Sequence, residues 1–184
     1  MDFTEKKIRE LNRYEGLILD VHVDSVSLPN GSVAKREIVD HPGGVTILPM
    51  DAGGNVYCVR QYRYAFSTEM LEVPAGKLEP GEEPLSAALR ELSEETGIAA
   101  GRIDFLGSFP MSPGFCTEVL HLYLARELTF GEAHLDVDEL LEVETHTLAE
   151  LLDMVMRGEV TDAKTVIAVL MAARLIEQEK HAEA

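Results

Sequence analysis

The stretch GKLEPGEEPLSAALRELSEETGI, residues 76–98, decides how the rest of the chain is read. Pro74 to Gly81 carries the glycines and prolines of a loop. From about Glu83 to Thr96 the residues favour helix, and Gly97 stops it as a C-terminal cap. At about 100° per residue, Leu85, Ala88, Leu89 and Leu92 gather into a core-facing stripe, which Glu91, Glu94 and Glu95 border. Glu91 and Glu95 are four apart, hence neighbours on the helix surface, and neither has a Lys or Arg four residues away to offset their repulsion. Arg90 is placed to pair with Glu94. A solvated acidic face is the plain alternative. It gives no reason for Gly76 and Gly81, for like charges stacked at one turn, or for the abrupt stop at Gly97. Carboxylates that repel one another become favourable ligands once a divalent cation sits between them.

Taken as fixed positions, the segment runs Gly76, five residues, Glu82, seven residues, Arg90-Glu91-Leu92, one residue, Glu94-Glu95, one residue, Gly97-Ile98. It resembles the signature of the Nudix hydrolases at every fixed position. With usage of about one in ten per position, chance agreement at nine places falls below about one in a million. The resemblance implies an α+β Nudix fold, a mixed β-sheet sandwiched between helices, with this segment as a loop, helix and loop holding Mg²⁺, or Mn²⁺ in its place. It implies Glu91 and Glu95 as metal ligands, Glu94 as a ligand or a water-orienting carboxylate, and the Ala75 carbonyl as a further ligand. Gly76, Glu82, Arg90 and Gly97 are then structural, with Arg90 and Glu82 tying the loop to the helix. Such a site hydrolyses a phosphoanhydride bond.

Outward from this segment, residues 2–12 are polar and read as a short helix. Residues 14–40 read as a hairpin about the turn Pro29-Asn30-Gly31. Val45 to Pro49 and Val56 to Tyr62, separated by Asp51-Ala52-Gly53-Gly54, read as a second hairpin, and Met70 to Val73 as the strand that feeds the loop. Strands follow at 103–109, 119–125 and 141–146, with an acidic loop at 129–140. Helices close the chain at 147–157 and from about Asp162 to Lys180, the last with Thr161 as N-cap. Strands and helices mix without regular alternation, which predicts α+β rather than a doubly wound fold. The division implied is an N-terminal helix and hairpin extension, residues 1–42, and a catalytic domain, residues 43–184.

The 184 residues suit one domain with a short extension. Net charge is −17, from 33 acidic and 16 basic residues, so the field repels nucleic acid and anionic lipid. A phosphate-bearing small substrate meets the same repulsion and calls for local cations, Arg or metal. The two cysteines, Cys58 and Cys116, have no paired spacing and read as free thiols of a reducing compartment. No apolar run reaches membrane-spanning length, and the N-terminus lacks an apolar core of a signal peptide, so the expectation is a cytoplasmic protein.

The signature names a bond and leaves the substrate to residues outside it. Pro113 lies sixteen residues beyond Gly97, within Ser112-Pro113-Gly114-Phe115. That placement is similar to the ADP-ribose pyrophosphatase group of Nudix enzymes. The likeness extends to Leu28-Pro29-Asn30-Gly31, Lys35-Arg36-Glu37, Val59-Arg60-Gln61-Tyr62-Arg63, Glu72 to Leu78 and Asp162-Ala163-Lys164-Thr165, and so covers most of the chain. It implies ADP-ribose as substrate, cleaved to AMP and ribose 5-phosphate, and a homodimer in which the N-terminal hairpin helps form the adenosine pocket. Arg63 is the candidate phosphate ligand, with a surface ion pair to Glu72 as the alternative. Ile18, Arg36, Glu37 and Gly114 are candidate substrate contacts, although an aromatic stacker of some members is absent. Glu139 matches a mobile glutamate that activates water, with Asp138 and Asp136 behind it; a solvated charged loop is the alternative. GDP-mannose or another nucleoside diphosphate sugar is the nearest rival substrate, and a nucleotide-sensing module without hydrolysis the rival class.

Overall fold

The computed structural model describes residues 2–135 and 139–182. Their backbone contacts divide the chain into two compact units, residues 1–43 with 110–119, and residues 44–109 with 120–184.

The first unit is a three-stranded antiparallel sheet of β1 (Lys6–Glu15), β2 (Asp20–Ser27) and β3 (Val33–Asp40), in the order β1-β2-β3. β2 and β3 form the expected hairpin about residues 29–31, where the Gly31 N–H donates to the Leu28 carbonyl at 2.9 Å. The helix expected over residues 2–12 is instead mostly β1. These residues carry no apolar stripe that a helix could bury, whereas pairing with β2 satisfies their backbone groups. Two register shifts, at Lys7/Arg9 and Glu10/Asn12, mark where β1 bulges. Residues 110–119 join this unit through the Val39 N–H to the Phe115 carbonyl at 2.7 Å and the Thr117 N–H to the Val39 carbonyl at 2.9 Å.

The second unit holds two sheets and the helices. β4 (Gly44–Pro49), β7 (Ala75–Lys77), β8 (Ile98–Pro110) and β9 (Val119–Phe130) form one sheet in the order β7-β4-β9-β8, and β5 (Asn55–Arg63), β6 (Thr68–Glu72) and β10 (Leu141–Thr147) form the other in the order β10-β5-β6. β4 runs parallel to β9 and antiparallel to β7, so the sheet is mixed, as expected of this α+β chain. β4 and β5 are strands as read, but they do not make the expected hairpin; only a bridge between Met50 and Val56 joins them. The reason is burial. All six residues of β4 are buried, so both its edges and both its faces are taken by other elements.

α1 (Pro84–Thr96) begins with Pro84 at its first turn and ends on Gly97 in the left-handed conformation, φ 68°. A Cβ on Gly97 would fall 2.6 Å from the Gly131 carbonyl oxygen, so this cap admits no other residue without moving backbone. α2 (Leu148–Arg157) starts on a capping box between Thr147 and Glu150. α3 (Ala163–Ala182) is capped by Asp162 and not by the expected Thr161, since the Asp162 carboxylate accepts the Thr165 N–H at 3.0 Å. The core gathers Val45 and Ile47 of β4, Ala87, Ala88 and Leu92 of α1, Ile98, and Tyr123 and Ala125 of β9.

Candidate active site

Residue packing turns α1 about its axis from the orientation read off the wheel. Its buried residues are Ala87, Ala88, Glu91, Leu92 and Glu95, while Leu85 and Leu89 are exposed. The carboxylates of Glu91 and Glu95 therefore lie within the inward face and do not merely border it. Burying two like charges is costly unless something compensates them. Burial, then the neighbouring Glu91 charge, pushes Glu95 up to about 8. Burial also raises Glu91 above the ordinary carboxylate range, against the pull of Arg90.

The loop before the helix is shaped around these side chains. β7 pairs with β4, placing Ala75 opposite Thr46 and Gly76 opposite Val45. The Ala75 N–H donates to Glu95 Oε2 at 3.1 Å. A Cβ on Gly76 would lie 1.9 Å from Glu91 Oε1, so glycine here leaves the space that the Glu91 carboxylate fills. Arg90 fastens the loop to the helix. It donates from Nε and Nη2 to the two oxygens of Glu82, at 2.9 and 3.0 Å, and from Nη2 to the Lys77 carbonyl at 3.3 Å. Its Nη1 reaches Glu91 at 2.8 Å and Glu94 at 2.9 Å. Glu94 is the most exposed of the three helix carboxylates.

Past the helix the chain stays attached to it. The Gly131 N–H donates to the Gly97 carbonyl at 2.7 Å and the His134 N–H to the Glu94 carbonyl at 2.9 Å. The negative charge of Glu139 acts to raise both Glu91 and Glu95. Asp136 and Asp138 lie outside the described residues.

Next to the carboxylates is a charged cluster that sequence reading only partly anticipated. Arg63 donates from Nε and Nη2 to Glu72, both at 2.6 Å, so the alternative ion pair is present. Glu72 is fully buried and also accepts from Lys164, which in turn lies 2.9 Å from Asp162. Thr165 Oγ1 accepts the Val73 N–H at 3.0 Å and donates to Asp162 at 2.6 Å, tying the entry of α3 to the strand that feeds the loop. Burial pulls Glu72 upward, but the Arg63 hydrogen bond and the Lys164 charge outweigh it and hold Glu72 below its ordinary value. The field of Lys164 reaches Glu95 and that of Glu95 reaches Arg63, so cations and acid site face one another. Lys164 and Thr165 were visible as part of a familiar stretch, but their partners stand 92 residues away in sequence.

The remaining candidates belong to the first unit. Ile18 and Glu37 are exposed, and Gly114 sits in an exposed turn that the Ser112 carbonyl closes onto the N–H groups of Phe115 and Cys116. Arg36 is committed to Glu5, with Nε–Oε2 at 2.9 Å. A groove of about 880 Å³ in the second unit, lined by Asp51, Arg102, Arg126, Leu148, Ile176 and Glu179 among others, includes none of the α1 carboxylates. Its Arg126 is paired with Asp104 and Glu179.

The buried carboxylates of Glu91 and Glu95, with Glu94 beside them on Arg90, are oxygen donors of the kind a hard divalent cation takes. The family model described as NUDIX domain matches residues 40–169. The chain is 45% identical over 167 residues to an ADP-ribose pyrophosphatase of Bacillus subtilis (strain 168), covering 90% of each chain. It is 44% identical over 169 residues to a methanol dehydrogenase activator of Bacillus methanolicus, covering 91% of each. With a GDP-mannose pyrophosphatase of Escherichia coli O1:K1 / APEC it shares 34% over 143 residues, covering 72% of this chain and 74% of the relative. A solved structure titled as an ADP compounds hydrolase superposes with a TM-score of 0.86 at 20% identity, covering 97% of this chain and 98% of that one, and shares its fold.

Proposed function

The chain belongs to the NUDIX domain family, and from that premise we propose that it is a Mg²⁺-dependent hydrolase cleaving the diphosphate of ADP-ribose to AMP and ribose 5-phosphate. The observation that carries this reading is the inward pair Glu91 and Glu95, with Gly76 leaving the room that the Glu91 carboxylate occupies. Glu91, Glu95, Glu94 and the Ala75 carbonyl would hold the ion, with Mn²⁺ as a substitute. When bound, the metal polarises the diphosphate, acidifies a water and neutralises developing charge.

The chain's own groups do the rest. Arg90 and Glu82 fix the loop so that the carboxylates converge. Arg63 binds a substrate phosphate through guanidinium N–H groups outside its pair with Glu72, and Glu72 holds it aimed. Glu139 takes the proton of the attacking water. What supports it is that the Glu139 charge acts on both Glu91 and Glu95, whereas that of Glu94 acts on Glu91. Replacing each by Gln separates them, since the base is the one whose loss removes the acidic limb of the rate profile.

Residues 1–42 act as a dimerisation extension to the domain at 43–184. The exposed Ile8, Tyr14, Leu17, Ile18 and Val33 of the first unit support packing against a second copy. Ile18, Arg36, Glu37 and Gly114 then contact the adenosine half of the substrate. The free thiols fit a cytoplasmic setting, and among the described residues no helix is long and apolar enough to cross a membrane.

Release of the nucleoside monophosphate, AMP or GMP, across a panel of nucleoside diphosphate sugars with Mg²⁺ tests the substrate. ADP-ribose is expected to turn over fastest. The 34% identity to a GDP-mannose pyrophosphatase favours that sugar as the second reading, and a clear preference for it would replace the first. Tight binding of ADP-ribose without turnover would make the protein a sensor. The relative named for activating methanol dehydrogenase adds one assay, stimulation of such a dehydrogenase by this protein.

A further inference from the structure

We propose that Glu10, His22 and Asp24 form a second divalent-metal site, selective for Zn²⁺, built wholly within the N-terminal sheet and sharing no residue with the α1 carboxylates. His22 and Asp24 stand two apart on β2, so their side chains share one face, and Glu10 of β1 is in register opposite Asp24. One ligand atom from each of the three lies within 4.8 Å of the others.

The imidazole is what points to an ion. His22 is 8% exposed, and among the described residues neither ring nitrogen has a hydrogen-bond partner. A buried ring with both nitrogens unpaired forfeits its hydration for nothing. Its Nδ1 nevertheless faces Glu10 Oε2 at 3.7 Å and Asp24 Oδ1 at 3.9 Å. Those separations are too long for hydrogen bonds. They are close to the ~3.4 Å between ligand atoms of a tetrahedral zinc ion with bonds of about 2.1 Å. Nε2, on the other side of the ring, faces Asp40 Oδ2 at 3.9 Å. A carboxylate behind the second nitrogen is the usual way that a metal-ligating histidine is oriented.

Other cations on this face serve the carboxylates and leave the ring unpaired. Arg13 donates to both oxygens of Glu10, and Lys7 lies 3.3 Å from Glu10 and 2.8 Å from Asp24 Oδ1, there outside hydrogen-bonding geometry. Lys7 is half exposed and can swing out to solvent when an ion enters. Two carboxylates and a neutral imidazole balance a 2+ charge. The nitrogen ligand favours Zn²⁺ over Mg²⁺, which wants oxygen alone.

The test is Zn²⁺ titration of the chelator-stripped full chain in excess Mg²⁺, followed through the imidazole ¹⁵N resonances and thermal unfolding. The His22 Nδ1 resonance is expected to move and saturate with one equivalent of Zn²⁺. Asp24→Asn and the more exposed Glu10→Gln should each weaken that step about tenfold or more, while Glu95→Gln leaves it unchanged. If His22 keeps its resonance while Zn²⁺ binds elsewhere, or if Glu10→Gln titrates like the wild type, the site is not a metal site. The wild-type resonance alone decides the matter should Asp24→Asn fail to fold.

Discussion

Gly76 shows how much a single missing side chain can govern. Its Cβ would occupy the place of the Glu91 carboxylate, while the atom displaced is the end of a side chain and not backbone. Gly76→Ala should therefore fold with nearly unchanged melting temperature and lose about 10- to 100-fold in metal affinity, measured by Mn²⁺ titration. Glu95 makes a second prediction at this scale. A carboxyl raised from 4.5 to about 8 stabilises the metal-free fold below 4.5 and loses that contribution as pH rises through about 8. A cation requires the charged form. EDTA-treated protein should thus melt lower at about pH 9 than at about pH 6, and Mg²⁺ should restore more at the higher pH. Glu72 has the opposite sign. Held below 4.5 by its cations, it contributes stability above that pH, and the contribution is lost as pH falls through its lowered value. Glu72→Gln should then narrow the gap in urea midpoint between neutral and acid conditions; an unchanged gap would remove Glu72 from the acid response. The α1 carboxylates were legible because their spacing along one helix is local. The partner of Lys164 was not, because only tertiary folding brings it to a carboxylate 92 positions earlier.

At the scale of elements, sequence pattern located strands better than it paired them. The strand at 45–49 was legible from its apolar run, but nothing local said that its partners are residues 75–77 and 120–125 and not the strand next in line. The N-terminal segment failed for a related reason. Polar residues without periodicity take the structure that a neighbour offers, here pairing with β2. α1 was legible in its limits and not in its rotation, because the wheel counts apolar residues and cannot anticipate glutamates turned inward. The helix at 147–157 was read without its cap. The Thr147 and Glu150 capping box closes the start of α2. Thr147→Ala should cost about 1 kcal/mol in chemical denaturation, with hydrolysis unaffected.

For the molecule as a whole, charge and site are linked. A chain with net charge −17 needs local positive charge if it is to take a phosphorylated substrate, and on the proposed reading Arg63 and a bound cation would supply it. The apolar residues left exposed in the first unit give a separate prediction of assembly. Leu17→Asp with Ile18→Asp should convert a dimer to a monomer in sedimentation equilibrium, and a wild type that sediments as a monomer would end the dimer proposal. The central claim is that carboxylates turned inward from α1 bind metal for diphosphate hydrolysis. Its most direct measurement is the single-turnover rate of AMP release from ADP-ribose at saturating Mg²⁺, comparing wild type with Glu95→Gln. The predicted result is a Mg²⁺-dependent wild-type rate that falls by several powers of ten in a folded Glu95→Gln protein; equal rates in the two would contradict it.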